Sequence, residues 1–142
     1  KPEVIWNIEQ GLKLTCADIL RAEHQRAAMY RRMLSFFGTY DLICTPATIV
    51  AAYPVENRYV AECNGVTFSN YVEWLAIAYA FTLCGCPAIS LPAGYTRDGR
   101  PIGLQIVARP RDEGRLLAAA MALEQVLALN TGLAVDPQVR HR

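Results

Sequence analysis

The chain reads as an α/β fold, a β-sheet flanked by helices with a β-hairpin near residues 87–107. Three observations carry that expectation. Two apolar runs, Ala88 to Leu91 and Ile102 to Val107, flank the turn Arg97-Asp98-Gly99-Arg100. Asp-Gly between apolar runs is a hairpin signal, because glycine reaches positive φ at no steric cost. A long amphipathic pattern precedes the runs and an Ala- and Leu-rich pattern follows them. Pro87, Pro92 and Pro101 cannot donate to a ladder, so they mark strand ends, edges or bulges.

In chain order, Val4, Ile5, Ile8 and Leu12 recur at helical spacing over residues 3–11, with Gly11 as a stop. Thr15-Cys16-Ala17-Asp18 has the form of a capping box. A helix to about Phe37 follows. Its apolar positions are Ile19, Ala22, Met29, Met33, Leu34 and Phe37, its wetter sides carry Arg21, Glu23, Arg26, Arg31 and Arg32, and Gly38 ends it. Leu42 to Thr45 forms a short strand closed by Pro46. Residues 46–67 lack periodicity and read as one long loop, either a pocket wall or a mobile connector. Ser69 or Thr67 can cap a helix reaching about Leu83, with Tyr71, Trp74, Leu75, Ala78, Tyr79 and Thr82 in one stripe. Such a stripe is ordinarily core. After the hairpin, Asp112 caps a closing helix to about Leu129, packing through Leu116, Leu117, Ala120, Leu123 and Leu127. Asn130 and Gly132 end it, and residues 130–142 form a frayed tail. Ser90 is expected as a filler packed in the sheet.

Composition limits the function. With 142 residues, 53% hydrophobic and 19% charged, the chain holds one core and a surplus of apolar surface for packing against something else. A net charge of +1 argues against a nucleic-acid or acidic-membrane partner, and no apolar run is long enough to span a bilayer. Five cysteines (Cys16, Cys44, Cys63, Cys84, Cys86) are an odd number set mostly in or beside apolar stretches. They read as reduced, buried thiols of a cytoplasmic protein. His24 and His141 form no ligand pattern, so no metal and no cofactor are expected.

The central stretch also resembles a known family. Gly85, Pro87, Ala88, Pro92 and Gly94, followed by Gly99, Pro101, Gly103 and Gln105, match the C-terminal signature region of the amidase signature family. Thr82 stands where that family commonly has Asn. Upstream, Tyr40-Asp41-Leu42-Ile43-Cys44-Thr45-Pro46 is similar to its Tyr-Asp…Thr-Pro strand. Downstream, Arg111-Asp112-Glu113 through Glu124 resembles its closing helix. The resemblance covers most of residues 11–128. It implies a hydrolase that cleaves amide carbon–nitrogen bonds through a serine acyl-enzyme, using two serines and a neutral lysine. The chain has only Ser35, Ser69 and Ser90, none in a Gly/Ser-rich loop, and two lysines, Lys1 and Lys13. No catalytic residue is therefore assigned.

Residues 1–142 are then expected to be one C-terminal segment of a larger amidase domain, inactive alone. The start at Lys-Pro-Glu inside a helical pattern agrees with that. Its partners would be the remainder of the amidase chain and, in the full enzyme, a small-molecule amide. The isolated chain would self-associate. Tyr71, Trp74 and Leu75 are the candidate substrate-binding residues. Glutamine-using members place polar groups in comparable positions, whereas here Glu73 is the only acid, which favours an apolar or aryl amide. The alternative is a non-catalytic binding or assembly module derived from the same fold.

Overall fold

In a computed structural model of the chain, which describes residues 1–128, helices lie on both faces of a three-stranded sheet. The expected α/β architecture is present. Helix α1 (Pro2–Gly11) is followed by α2 (Cys16–Phe36) and strand β1 (Leu42–Pro46). Two short strands, β2 (Glu62–Cys63) and β3 (Val66–Thr67), come next. A 3-10 turn (Glu73–Leu75) then leads into α3 (Ala76–Leu83), and β4 (Ala88–Tyr95), β5 (Pro101–Ala108) and α4 (Glu113–Leu127) complete the order. The frayed tail and the helix stop at Asn130 and Gly132 lie outside the described residues.

The start of α2 follows the sequence. Thr15 accepts from the Asp18 amide, and the Asp18 carboxylate accepts from the Thr15 amide, forming the capping box. These Thr15 contacts and the nearby Arg21 hold the Asp18 carboxyl below its ordinary range. The sheet order is β1-β5-β4 with antiparallel neighbours, Thr45 opposite Gln105 and Ser90 opposite Gln105 on the other side. β4 runs on through Pro92 to Tyr95, further than the apolar run alone indicates. An irregularity between Pro92 and Gly94 absorbs the proline. At the hairpin tip Gly99 takes φ 86°, and its amide donates to the Thr96 carbonyl at 3.0 Å.

Strand alternation divides the core in two. On one face Leu91, Ile106 and Ala108 pack with Leu116 and Ala120 of α4, and Leu42, Ile89, Leu104 and Leu123 close around them. On the other face Val107 meets Phe37, Cys84 and Cys86, with Met29 and Met33 of α2 and Phe81 of α3. Ile106 and Val107 are completely buried, so β5 is the axis of both clusters.

Four local expectations are corrected. The long loop contains the small β2–β3 hairpin, whose turn Asn64-Gly65 sits at φ 51° and 78°. Residues 69–75 are not continuous helix. Asn70 Oδ1 accepts from the Val72 and Glu73 amides, making a side-chain turn that delays the helix to Ala76. Leu117 lies on the exposed side of α4. Two of the five free cysteines, Cys16 and Cys44, are exposed rather than buried. Among the described residues, no helix is long and apolar enough to cross a membrane.

Candidate functional site

One end of the sheet opens into a groove of 660 Å³. Its floor is set by Gly103 of β5 and Ser90 of β4, and Ile49, Val50, Ile102 and Leu104 are among its apolar walls. The chain can approach this closely only because residue 103 has no side chain. A Cβ there would lie 2.8 Å from Ser90 Oγ and 3.0 Å from Ala47 Cβ. The Gly103 carbonyl accepts from the Ala47 amide at 2.9 Å, which turns the chain out of β1 and over the groove. Ser90 is thus not a packed filler: it is exposed, on the edge strand β4, and lines the groove.

Polar contacts hold the loop after β1 in place. Thr48 Oγ1 donates to the Val50 carbonyl at 2.6 Å. From the hairpin tip, Arg100 Nη1 donates to the Ala52 carbonyl at 2.7 Å while its Nε donates to Asp98 at 2.9 Å. The Thr96 hydroxyl and then Arg100 keep the Asp98 carboxyl below its usual range, so this clamp stays charged at neutral pH. Beneath the groove, buried Gln105 donates through Nε2 to Thr45 Oγ1 at 3.0 Å and to the Ile77 carbonyl at 3.1 Å. That one side chain ties the central strand to its neighbour and to α3.

The three sequence-assigned binding residues lie beyond this loop and separate from one another in role. Trp74 is buried, with ring centroids 5.9 Å from Tyr53 and 6.3 Å from Tyr71. Tyr71 is more than a third exposed and lines a different groove, of 620 Å³, between α1 and residues 55–58. Leu75 is half-buried at the end of the 3-10 turn. The structure therefore brings Tyr71 and Trp74 together, with the Tyr53 ring edge-on to Trp74 as well. The Ser69 hydroxyl and amide both donate to Glu73, holding its carboxyl below the ordinary range. Ser90, Gly103, Thr48 and Tyr53 were not assigned from sequence. A glycine inside a strand pattern is the one signal that could have pointed to the groove, since it marks close backbone approach.

Ser35 lies in α2, Ser69 is engaged by Glu73, and Ser90 stands on β4; Lys1 caps α1 and Lys13 sits in the turn after it. Among the described residues, no group of three His, Cys, Asp or Glu side chains could hold a metal ion.

Residues 1–117 match the family described as Amidase. The chain belongs to the amidase family. An acylamidase of Rhodococcus erythropolis is 34% identical over 120 residues, which is 84% of this chain and 25% of that protein. A glutamyl-tRNA(Gln) amidotransferase subunit of Dinoroseobacter shibae is 35% identical over 130 residues, covering 87% of this chain and 25% of the relative. The crystal structure of a bacterial aryl acylamidase of the amidase signature family superposes with a TM-score of 0.72 at 25% identity. That superposition covers 83% of this chain and 24% of the other. This amidase-family chain therefore spans about a quarter of the length of the curated relatives it matches.

Proposed function

We propose that the chain is the C-terminal, substrate-lining part of an amide hydrolase whose serine, bridging serine and lysine are supplied by polypeptide outside these residues. In the complete enzyme the serine oxygen attacks the amide carbonyl. The amine leaves with a proton, and water then cleaves the acyl ester to give the carboxylic acid. This segment supplies scaffold and wall. The observation that carries the reading is the placement of Ser35 in α2, Ser69 in the loop before the 3-10 turn and Ser90 in β4, in a chain that matches only a quarter of its relatives' length. A serine–lysine relay needs its members within hydrogen-bond reach of one another.

The substrate class follows from the wall. Ile49, Val50, Ile102 and Leu104 around a floor of Gly103 and Ser90 suit an aliphatic or aryl acyl group. Among the residues lining the groove, none is charged, so nothing there pairs with a glutamine α-carboxylate or α-amine. We favour an apolar or aryl amide over glutamine on that ground, and the similarity to an acylamidase and an aryl acylamidase supports it. Isolated, the chain has open sheet edges at β1 and β4, which promote self-association.

The test is an anilide assay, reading released arylamine, on this chain and on the native polypeptide that contains it. The chain alone is expected to be inactive, and the native polypeptide to turn over the anilide faster than glutamine. Turnover by the 142-residue chain that a serine-directed phosphonate abolishes would overturn the assignment. Preference of the native polypeptide for glutamine would overturn the substrate class.

A further inference from the structure

One side of the groove has no ladder to hold it. Residues 47–51 line it and lie between β1 and β2 in neither helix nor strand, so their backbone takes its position from contacts made elsewhere. At the near end the Ala47 amide donates to the Gly103 carbonyl at 2.9 Å. Among the described residues, two side chains from outside the segment donate to it and to Ala52, which follows it. The Cys63 thiol reaches the Ile49 carbonyl at 3.8 Å, and Arg100 Nη1 reaches the Ala52 carbonyl at 2.7 Å. A thiol is a weak donor and its contact is long, whereas the guanidinium bond is short and charge-assisted. Arg100 is therefore the principal polar tie at the far end. The next contact along the chain, the edge-on rings of Tyr53 and Trp74 at 5.9 Å, sets no direction for the Ala52 carbonyl.

The guanidinium is aimed from the hairpin tip. Its Nε and Nη2 both lie 2.9 Å from one oxygen of Asp98, which leaves Nη1 for the Ala52 carbonyl. Asp98 is itself fixed, because its carboxylate accepts from the Thr96 hydroxyl. The Arg100 amide donates to Thr96 Oγ1 at 2.9 Å, and the Thr96 amide donates to the Arg100 carbonyl at 2.8 Å. With side chains 46% and 60% exposed, the Arg100–Asp98 pair adds little stability of its own. Its consequence is directional. Thr96, Pro101 and Ile102 of the hairpin line the same groove, so the tie to Ala52 joins the two sides.

We propose that Arg100 is a positioning residue for substrate choice: through the Ala52 carbonyl it holds Ile49 and Val50 at the spacing that receives an extended apolar acyl group. The inference rests on the reading that this groove is the acyl wall of an amide hydrolase, and adds which residue sets its width. A wall held in place spares the substrate the cost of ordering the loop. Contacts remote from the reacting carbonyl act alike on bound substrate and transition state, so their loss raises KM rather than lowering kcat.

The experiment uses the native polypeptide that contains this chain, with benzanilide and acetanilide as substrates. The two release the same aniline and differ only in how far the acyl group extends. Arg100→Met keeps the aliphatic stem and removes the guanidinium. It is expected to lower the benzanilide-to-acetanilide ratio of kcat/KM by about fivefold, through KM. Arg100→Lys is measured beside it. One ammonium does not reproduce the fork that grips Asp98 and Ala52 together, so the ratio should fall by about twofold or more. A ratio equal to the parent's in every variant that folds overturns the proposal, and anilide turnover by the parent then leaves the functional reading intact. Equal losses on both substrates reveal a role in the fold alone and overturn it too. A ratio that falls through kcat alone assigns Arg100 to the chemical step and likewise overturns it. A native polypeptide that hydrolyses neither anilide overturns the functional reading and the proposal with it.

Discussion

Replacing Gln105 by Met tests whether one side chain joins the strands to the helix beneath the groove. Gln105 is 8% exposed, and its Nε2 reaches Thr45 Oγ1 at 3.0 Å and the Ile77 carbonyl at 3.1 Å. Met is of similar length and fills irregular gaps, so the substitution removes two donors without opening a large cavity. Each hydrogen bond contributes about 1 kcal/mol net, so Gln105→Met should destabilise by about 2 kcal/mol. Thr45→Val removes only one of the two partners and should cost about 1 kcal/mol. The double variant should cost about as much as Gln105→Met alone, because the Thr45 contact is then already gone. Urea unfolding followed by tryptophan fluorescence reads the change, with an unchanged slope confirming that only stability moved. The reasoning fails if Gln105→Met lies within 0.5 kcal/mol of the parent (about one half of one hydrogen bond), or if the two substitutions add fully.

Three further outcomes follow from the same geometry. Gly103→Ala places a Cβ against Ser90 Oγ and Ala47 Cβ, and should destabilise by about 1–3 kcal/mol in urea unfolding. Adding Ser90→Ala should recover part of that but not all, since the Ala47 contact remains. Burial, then the neighbouring Cys84, pushes the Cys86 thiol up to about 11 from 9.0. A raised pKa favours the neutral thiol in the folded state. That contribution is complete below pH 9 and is lost as pH rises towards 11. Iodoacetamide at about pH 8 should modify the exposed Cys16 and Cys44 at least tenfold faster than Cys86, by peptide mass. Thr15→Ala removes the cap of α2 and should cost about 1 kcal/mol by the same urea measurement. The Asp18 carboxyl sits below its ordinary 3.8, so its share of that cap is present above about pH 4 and fades as pH falls below it.

Which features could be read in the sequence follows from whether their cause is local. The hairpin rests on Asp98-Gly99 and two apolar runs, and the Thr15–Asp18 capping box on four consecutive residues, so both were legible. The family resemblance rested on the spacing of Gly85, Pro87, Gly103 and Gln105, and the match over residues 1–117 agrees with it. The failures have equally local causes. Asn64-Gly65 is a hairpin signal of the same kind as Asp98-Gly99, but strands of two residues leave no alternation to read. At Asn70 a side chain competed with helix formation by accepting from the Val72 and Glu73 amides. Periodicity alone does not register that competition.

The groove was illegible for a different reason. Ser90 and Gly103 lie on adjacent strands, and Ala47 reaches them only because its amide finds the Gly103 carbonyl after β1 ends. Nothing in the composition near Ser90 separates a buried serine from an exposed one; the edge position of β4 decides it, and edge position is a property of strand order. The stripe on α1 shows the converse. Val4, Ile5, Ile8 and Leu12 were read as a helix with an apolar side, and that is what forms, but the burial such a side requires is not met within these residues. Periodicity sets which side of a helix is apolar, but which element covers that side is decided by tertiary packing, and residues 1–128 leave this one open.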